Sequence, residues 1–408
     1  MDSDILSKVT SKNKSSRLPG FYELPINERQ SVIGNFAELS PTQVKSLGNF
    51  GVLSRELSDI FIENAVGTFS LPLGVATNFL VNGKDILIPM AVEETSVLAA
   101  ASHGAKLARS GGGFTTSSTD PVMTGQIQLF PKKGFDFDRV LSQAKSDILD
   151  VANDGHARLL SRGGGAKDFS WRYIEEINSL VLYLDVHTGD AMGANIVNTM
   201  CEKVSVFLSK TIDCQVGLRI LTNLNDKRIA RAWCRIPKES FDSREFTGKE
   251  VVERIEQAYL FAYHDVYRAT THNKGVMNGI DPVVIATGND WRAVEAAAHS
   301  YCCRSGVYQP MTQWKRLPNG DLEGSIELAI AVGTVGGVTK LHPTAQSALH
   351  LLGNPSAQGL AEILCAVGLA QNLSALRALA SEGIQRGHMS LHQSNLRLRQ
   401  QAKKSRCH

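Results

Sequence analysis

The chain of 408 residues lacks a hydrophobic run of bilayer length, any C-x-x-C pair, and a marked excess of either charge. Its longest apolar stretches, such as ELAIAVGTVGGV, fall short of the roughly 20 residues a spanning helix needs, so no membrane partner is expected. The opening MDSDILSKVTSKNKSS has no apolar core of the kind a secretory signal carries. A formal net charge of +3 is too small to make nucleic acid the main partner. Seven cysteines, odd in number, dispersed and without zinc spacing, argue for reduced thiols, a cytoplasmic setting and no metal. Two nucleotide-binding signatures are also missing. Glycines cluster in SGGGFTT, SRGGGAKD and VGTVGGVTK, but none has the G-x-G-x-x-G spacing between a strand and a helix, and no Walker lysine motif is present. These glycines read as turns.

What is present is an ordinary globular composition, 43% hydrophobic and 20% charged, in a chain long enough for two or three domains. Residues 1–16 are polar and expected to be loose. Ser40 reads as the cap of a helix in SPTQVKSLGNFG, and Asn82-Gly83 between two apolar runs predicts a hairpin. The alanine-rich helix TSVLAAASHGAKLARSG follows. From about 121 to 224 the rhythm changes to strand VMTGQIQLF, helix FDRVLSQAKSDILDVAND, strands in DFSWRYIEEI and SLVLYLDVHT, helix GANIVNTMCEKVSVFLSKT and a strand in DCQVGLRILTNL. That β-α-β-β-α-β order is the split βαβ, ferredoxin-like pattern. The predicted fold class is α+β. A large mixed helical and sheet domain (1–120 and 225–385) carries an inserted ferredoxin-like domain (121–224), and a short carboxyl-terminal segment (386–408) ends the chain. In the second part of the large domain, helices are expected in GKEVVERIEQAYLFAYHD, WRAVEAAAHSYCC, TAQSALHLLG and SAQGLAEILCAVGLAQNLSALRALAS, the last split or bent near Gly368 or Asn372. GSIELAIAV is expected to be a strand.

Between these helices lies RATTHNKGVMNGIDPVVIATGNDW. It reads as a glycine-rich loop carrying Lys274, then a buried strand from Pro282 to Ala286 that delivers Asp290 to a helix start, sixteen residues after the lysine. Taken singly, each charged candidate has an ordinary explanation. Lys274 suits a solvated loop and Asp290 a helix cap, Glu94 complements a helix dipole, and His388 suits a surface. DAMGAN, comprising Asp190, Ala191, Met192, Gly193, Ala194 and Asn195, lies between a predicted strand and helix. Free backbone N–H groups there can receive an anion, and small residues let a flat ligand approach. A plain strand-to-helix turn accounts for the same residues.

Five stretches resemble, in order, the 3-hydroxy-3-methylglutaryl-CoA (HMG-CoA) reductases, and the soluble class II more than the membrane-anchored class I. They are ENAVGTFSLPLGVATNF, VEETSVLAAASHGAKLARSGGGFTTSS, DAMGANIVNTMCE, THNKGVMNGIDPVVIATGNDWRAVEA and LAQNLSALRALASEGIQRGHMSLH, and the resemblance runs from about Ser16 to His392. It implies that Lys274, Glu94 and Asp290 form one charged network and that His388 donates a proton. It implies that Arg268 and Asn278 hold the acyl part of the substrate, with Ser96 a further candidate. Asp190 to Asn195, and Asn223, would contact a nicotinamide cofactor on the small domain, without a Rossmann fingerprint. The implied reaction is the two-step, four-electron reduction of HMG-CoA to mevalonate and CoA by two NAD(P)H, or the reverse oxidation. The implied assembly is at least a homodimer with shared active sites. NADH-using members carry an aspartate a few residues before the small domain's GGG, and the comparable position falls near His156 here, with Arg158 and Arg162 close by. Cations there suit a 2′-phosphate, and NADPH and NADH both stay open. Class II members also carry a substantial flap after the GHM histidine, whereas twenty residues follow His388 here. Closure over the substrate is therefore expected to be reduced or achieved differently. A catalytically weak CoA-thioester-binding relative is the alternative function. A metal-dependent lyase ranks last, since no cluster of cation ligands is visible.

Overall fold

A computed structural model of the protein describes residues 14–48, 51, 53–132, 136–212 and 214–381. The expectations for His388 and for 386–408 lie outside the described residues. Three helices come first, α1 (Ile26–Ala37), α2 (Pro41–Gly48) and α3 (Arg55–Phe61). Hairpin β1 (Leu73–Val81) and β2 (Lys84–Ala91) turns at Asn82 and Gly83, with φ of 47° and 74°, the mirror-image turn whose twist matches its strands. The chain just before α1 is not loose up to residue 16. Ser16 is fully buried, and its hydroxyl bonds Phe79 O and Asp85 Oδ1, each at 2.7 Å. Arg109 of α4 (Thr95–Ser110) closes the same cluster on Asp85 at 2.7 Å.

β3 (Thr115–Ser118) leads into β4 (Val122–Phe130), α5 (Phe137–Gln143), α6 (Lys145–Asn153), α7 (Ala157–Leu160), β5 (Gly165–Ile174), β6 (Ser179–His187), α8 (Ala194–Thr211) and β7 (Gln215–Leu221). The strands of this unit lie in the order β5-β6-β4-β7, each neighbouring pair antiparallel, which is the split βαβ arrangement. Ile127, Leu182 and Leu184 of the sheet meet Ile148, Val197, Met200 and Val204 of the helices in a core of their own. The single helix expected over 137–153 is two, α5 and α6, meeting at Ala144.

The chain returns through β8 (Ile229–Ile236), which joins β9 (Thr312–Arg316) and β10 (Leu322–Ala329) in the antiparallel sheet β3-β8-β10-β9. Ala230, Ala232, Cys234 and Ile236 of β8 face the core, while Arg231 and Arg235 pair across with Glu327 and Glu323. The helices of this part are α9 (Gly248–His264), α10 (Val266–Ala286), α11 (Trp291–Cys302), α12 (Gly337–Leu341), α13 (Pro343–Leu351) and α14 (Ala357–Ala380). By length and composition α14 is apolar enough to cross a membrane, which the apolar runs in the sequence did not suggest. Here it is the core helix, 72% of its apolar window buried.

Two sequence expectations are corrected. The stretch around Lys274 is neither a loop nor a strand. It is the 21-residue helix α10, with Pro282 inside it. Ala269, His272, Asn273, Val276, Met277, Ile280, Val283 and Val284 recur three and four apart and are all buried, and that stripe outweighs the poor helix propensity of glycine, asparagine and proline. Nor is α14 split at Gly368 or Asn372; it is one helix from Ala357 to Ala380, and Asn372 serves the core. Its Oδ1 accepts from Thr312 Oγ1 and from Trp314 Nε1, both at 2.8 Å. Thr312 has one hydroxyl proton, given to Asn372, so the 2.7 Å contact with His272 Nε2 requires the histidine to donate. That fixes the Nε2–H tautomer and leaves Nδ1 of His272 buried without a partner. Burial, with Arg268 nearby, holds this imidazole neutral, its pKa pushed down to about 3.

Removing the shared acceptor would strand two buried donors, each worth about 1–3 kcal/mol when unsatisfied. Asn372→Ala is expected to destabilise the fold by roughly 3 kcal/mol in urea titration, whereas a loss under about 0.5 kcal/mol would mean water replaces the amide.

Candidate active site

The expected catalytic side chains stand at helix positions set by one hydrophobic cluster. Val97 of α4, Val276 of α10 and Val294 of α11 are buried in it together. Glu94 lies three residues before Val97, Lys274 two before Val276, and Asp290 four before Val294. Glu94 and Asp290 are the N-cap residues of α4 and α11.

Their side chains are not equivalent. Glu94 makes no capping bond and instead accepts from Ser96 Oγ at 2.6 Å, so the structure brings these two candidates together. Asp290 caps its helix, accepting from the amides of Arg292 at 3.1 Å and Ala293 at 3.3 Å, with the Arg292 guanidinium 3.3 Å away. Lys274 is exposed on α10 on one face with Tyr267, Thr270 and Thr271. Among the described residues, no hydrogen bond or ion pair joins Lys274 to Glu94 or Asp290 within one chain.

Arg268 and Asn278 lie on the same helix, both half-buried. Burial lowers the Arg268 pKa from its ordinary value. Pro282 has no N–H, so the carbonyl of Asn278, four residues earlier, has no intrahelical donor. Asn278 thus offers a side-chain amide and a backbone acceptor at one point.

Behind this face runs a polar chain that sequence reasoning missed. Asp281 is bonded to Glu295, Glu295 meets His299 at 2.7 Å, and His299 Nδ1 meets the Tyr308 hydroxyl at 2.7 Å. Burial holds the Tyr308 pKa up, although Asn273, the residue before Lys274, lies close enough for its amide to favour the ionised form. Asn273 is fixed by Met311 N at 2.8 Å and Gln309 O at 2.9 Å. The only sequence signal was spacing: Asp281 stands seven residues after Lys274, on the same helix face.

The loop Asp190 to Asn195 does join β6 to α8, as expected. Gly193 has φ of 102°, a left-handed conformation that disfavours a side chain, and no side chain caps the helix. The first-turn amides of α8 are therefore open to an anionic ligand, and no acid lies in that turn. Asp190 is not a local cap. Its Oδ1 accepts from Ala357 N of α14 at 2.8 Å. Asn198 of α8 accepts from Leu221 N at 2.8 Å, which brings the exit of β7, and Asn223 beyond it, to the same end of α8. His156 lies further along, preceding α7, its pKa lowered by partial burial and by nearby Lys203 of α8. The residues fit a dinucleotide, which would meet a helix N-terminus at one end and Arg158, Arg162 and Lys203 at the other. Among the described residues no group of three or more potential metal ligands occurs.

A family model described as hydroxymethylglutaryl-coenzyme A reductase matches residues 25–393. The 3-hydroxy-3-methylglutaryl-coenzyme A reductase of Archaeoglobus fulgidus is 51% identical over 387 residues, covering 94% of this chain and 87% of that protein. A probable reductase of the same name from Borreliella burgdorferi is 33% identical over 378 residues, covering 92% and 87%. The solved reductase of Streptococcus pneumoniae superposes with a TM-score of 0.85 at 39% identity, covering 89% of this chain and 99% of that one. Another structure from that organism, of a class II reductase bound to NADPH in open conformations, gives 0.84 at 39% identity, with the same coverage.

Burial first, then the bond to Glu295 and its charge, raise the Asp281 pKa from 3.8 to about 8, while His299 foremost holds Glu295 below its ordinary range. A raised carboxyl pKa favours the fold most at low pH. Its contribution is expected to fade as pH climbs from about 4 to about 8. Thermal melts of Asp281→Asn against the parent check this. The variant's Tm is expected to fall less between pH 5 and 8, and parallel curves would refute the shared proton.

Proposed function

The chain belongs to the hydroxymethylglutaryl-coenzyme A reductase family, and on that premise we propose that Lys274, Glu94, Asp290 and His388 carry its chemistry. The protein is an oxidoreductase that reduces the HMG-CoA thioester to mevalonate and CoA in two steps. NADPH, when bound, supplies one hydride to each step. The observation that carries the residue assignment is that one buried cluster fixes the helix positions of Glu94, Lys274 and Asp290. An active reductase is favoured over a catalytically weak relative because the family match runs through residue 393, past His388.

Lys274 donates from its ammonium to the thioester oxygen as that oxygen gains charge, a contribution on the order of 3–4 kcal/mol in a dry site. Asp290 keeps the ammonium charged against desolvation. His388 protonates the departing CoA thiolate, which an imidazole can do near neutral pH. Glu94, steadied by Ser96, protonates the alkoxide of the second step. Arg268 and Asn278 hold the acyl carboxylate and hydroxyl.

The open amides at the start of α8 would hold the NADPH pyrophosphate, and His156, Arg158, Arg162 and Lys203 would take its adenosine end. From Ala194 to Lys203 is nine residues, roughly 13 Å along a helix. The cations Arg158, Arg162 and Lys203 suit a 2′-phosphate. The ammonium of Lys203 already reaches Asp154 O at 2.6 Å, which places it beside α7. The domain division at 121–224 follows from the same reading: the small sheet with α8 carries cofactor, the rest carries substrate.

The active enzyme is a homodimer with sites completed across the interface. Tyr267, on the helix face of Lys274, is 84% exposed and Phe261 of α9 60%, while Val66 and Phe69 stand almost wholly in solvent. Large apolar side chains at this exposure suit a covered face. Free thiols at Cys201, Cys234, Cys302, Cys303 and Cys365 suit a cytoplasmic setting.

Lys274→Met is expected to lower thioester-dependent NADPH oxidation by at least 10³-fold, consistent with loss of about 4 kcal/mol. His388→Gln is expected to slow thioester reduction far more than reduction of free mevaldehyde. Substantial turnover by the lysine variant, or equal losses on both substrates by the histidine variant, would remove these assignments. Light scattering after gel filtration is expected to give a dimer or larger for the parent and a monomer for Phe69→Glu with Tyr267→Glu. A parent that is active as a monomer would rule out shared sites.

A further inference from the structure

Arg228 is 4% exposed and sits where the chain returns from the small sheet to β8. One nitrogen of its guanidinium donates to Thr188 Oγ1 at 3.2 Å, Ala191 O at 3.3 Å and Met192 O at 3.2 Å. The other donates to Val332 O at 2.5 Å, just past β10. Its own backbone carbonyl accepts from Ile330 N at 3.1 Å. The segment 330–334 is thus gripped by Arg228 along with the loop that follows β6.

That segment also touches both halves of the proposed site directly. Thr334 N donates to Asp190 O at 2.9 Å. At Gly333 a Cβ would stand 2.5 Å from Met192 N and 3.2 Å from Ala191 C, so no side chain fits between the two backbones. On its other side, Gly333 N donates to Asn289 Oδ1 at 2.7 Å, and Asn289 immediately precedes Asp290. One residue of backbone therefore lies between the Asp190–Asn195 loop and the turn that carries Asp290.

We propose that Arg228 and Gly333 are positioning residues that set the spacing between the cofactor loop and the Asp290 turn. The inference rests on reading Asp190 to Asn195 as the cofactor loop. Arg228 reaches four acceptors from one planar fork, which an ammonium cannot copy. A methyl at Gly333 must push the loop or the turn aside, and displacements near 1 Å cost about 10²-fold where a transferred atom must meet its target. Among the described residues neither makes a hydrogen bond to α10 itself. On that side Gly333 meets only the Asn289 turn beyond the C-cap Thr287, which is nine residues from Asn278, so thioester affinity is expected to stand.

The test compares Gly333→Ala and Arg228→Lys with the full-length parent. NADPH affinity is read by fluorescence titration, which needs no turnover. Kinetics then use NADPH deuterated at the transferred position, and melting temperatures are recorded. Expected are a tenfold or greater loss of NADPH affinity, a thioester KM within twofold of the parent, and a larger primary isotope effect on kcat/KM for the cofactor. Arg228→Lys is the milder change and keeps the test alive if the alanine variant fails to fold. NADPH affinity within twofold of the parent, or equal losses for thioester and cofactor, would overturn the bridge alone. A parent that fails to bind NADPH would overturn the cofactor-loop reading as well.

Discussion

The proposed acyl-binding face depends on where α10 sits, and α10 is held from behind by the amide of Asn372. That side chain joins α14 to β9 through Thr312 and Trp314, and Thr312 passes the chain of bonds to His272, two residues from Lys274. Apolar packing alone would allow the helix to slide or rotate at little cost, since hydrophobic attraction has no direction. A buried hydrogen-bond network has direction, and breaking it strands polar groups. The second brace holds the same helix at Asn273, through Gln309 and Met311, and at Asp281, through Glu295, His299 and Tyr308. Two polar braces around one lysine-bearing turn fix the register of Arg268, Lys274 and Asn278.

The cofactor side is held by different means, backbone against backbone. The loop after β6 is not anchored mainly within its own small sheet. Asp190 reaches the first turn of α14, and Gly333 leaves no room for a side chain between itself and Met192. Such contacts fix distance more tightly than long side chains do, because few rotatable bonds intervene. The two halves of the proposed site therefore share the frame formed by α14 and the exit of β10.

Much of this was legible from the sequence where a local signal was strong. Asn82-Gly83 announced a hairpin, and the alternation and helix lengths over 121–224 gave the split βαβ order. β8 escaped because its inward residues are mostly small, Ala230, Ala232 and Cys234, which makes its alternation faint. α10 escaped for a stronger reason. Gly275, Gly279, Asn278 and Pro282 all argue locally against a helix, and the contrary evidence, a buried stripe, becomes compelling only once α14 lies against it. Gly279 is the clearest case: a Cβ there would stand 2.8 Å from that of Gln371 on α14, a reason invisible in a single strand of letters. Site residues were legible through resemblance, whereas the braces at Asn372, Asp281 and Arg228 required coordinates.

The chemistry proposed for Lys274 makes a demand that a single described chain does not meet. At 4 Å an ion pair in bulk water is worth about 1 kcal/mol, and several times more at the lower effective dielectric of a covered site. Lys274 is exposed, so on an isolated subunit its field would be spent largely on solvent. Stabilising a thioester oxyanion by the several kcal/mol that catalysis needs requires water to be excluded. The cover must also bring a carboxylate, since an ammonium shut away alone would lose its proton. A second subunit seated on Tyr267 and the α10 face it shares would remove apolar surface from water and exclude solvent from Lys274 in the same step. Association and catalysis would then be one event for this face: burial of Tyr267 would favour the contact, and the lowered dielectric beneath it would give the lysine its strength.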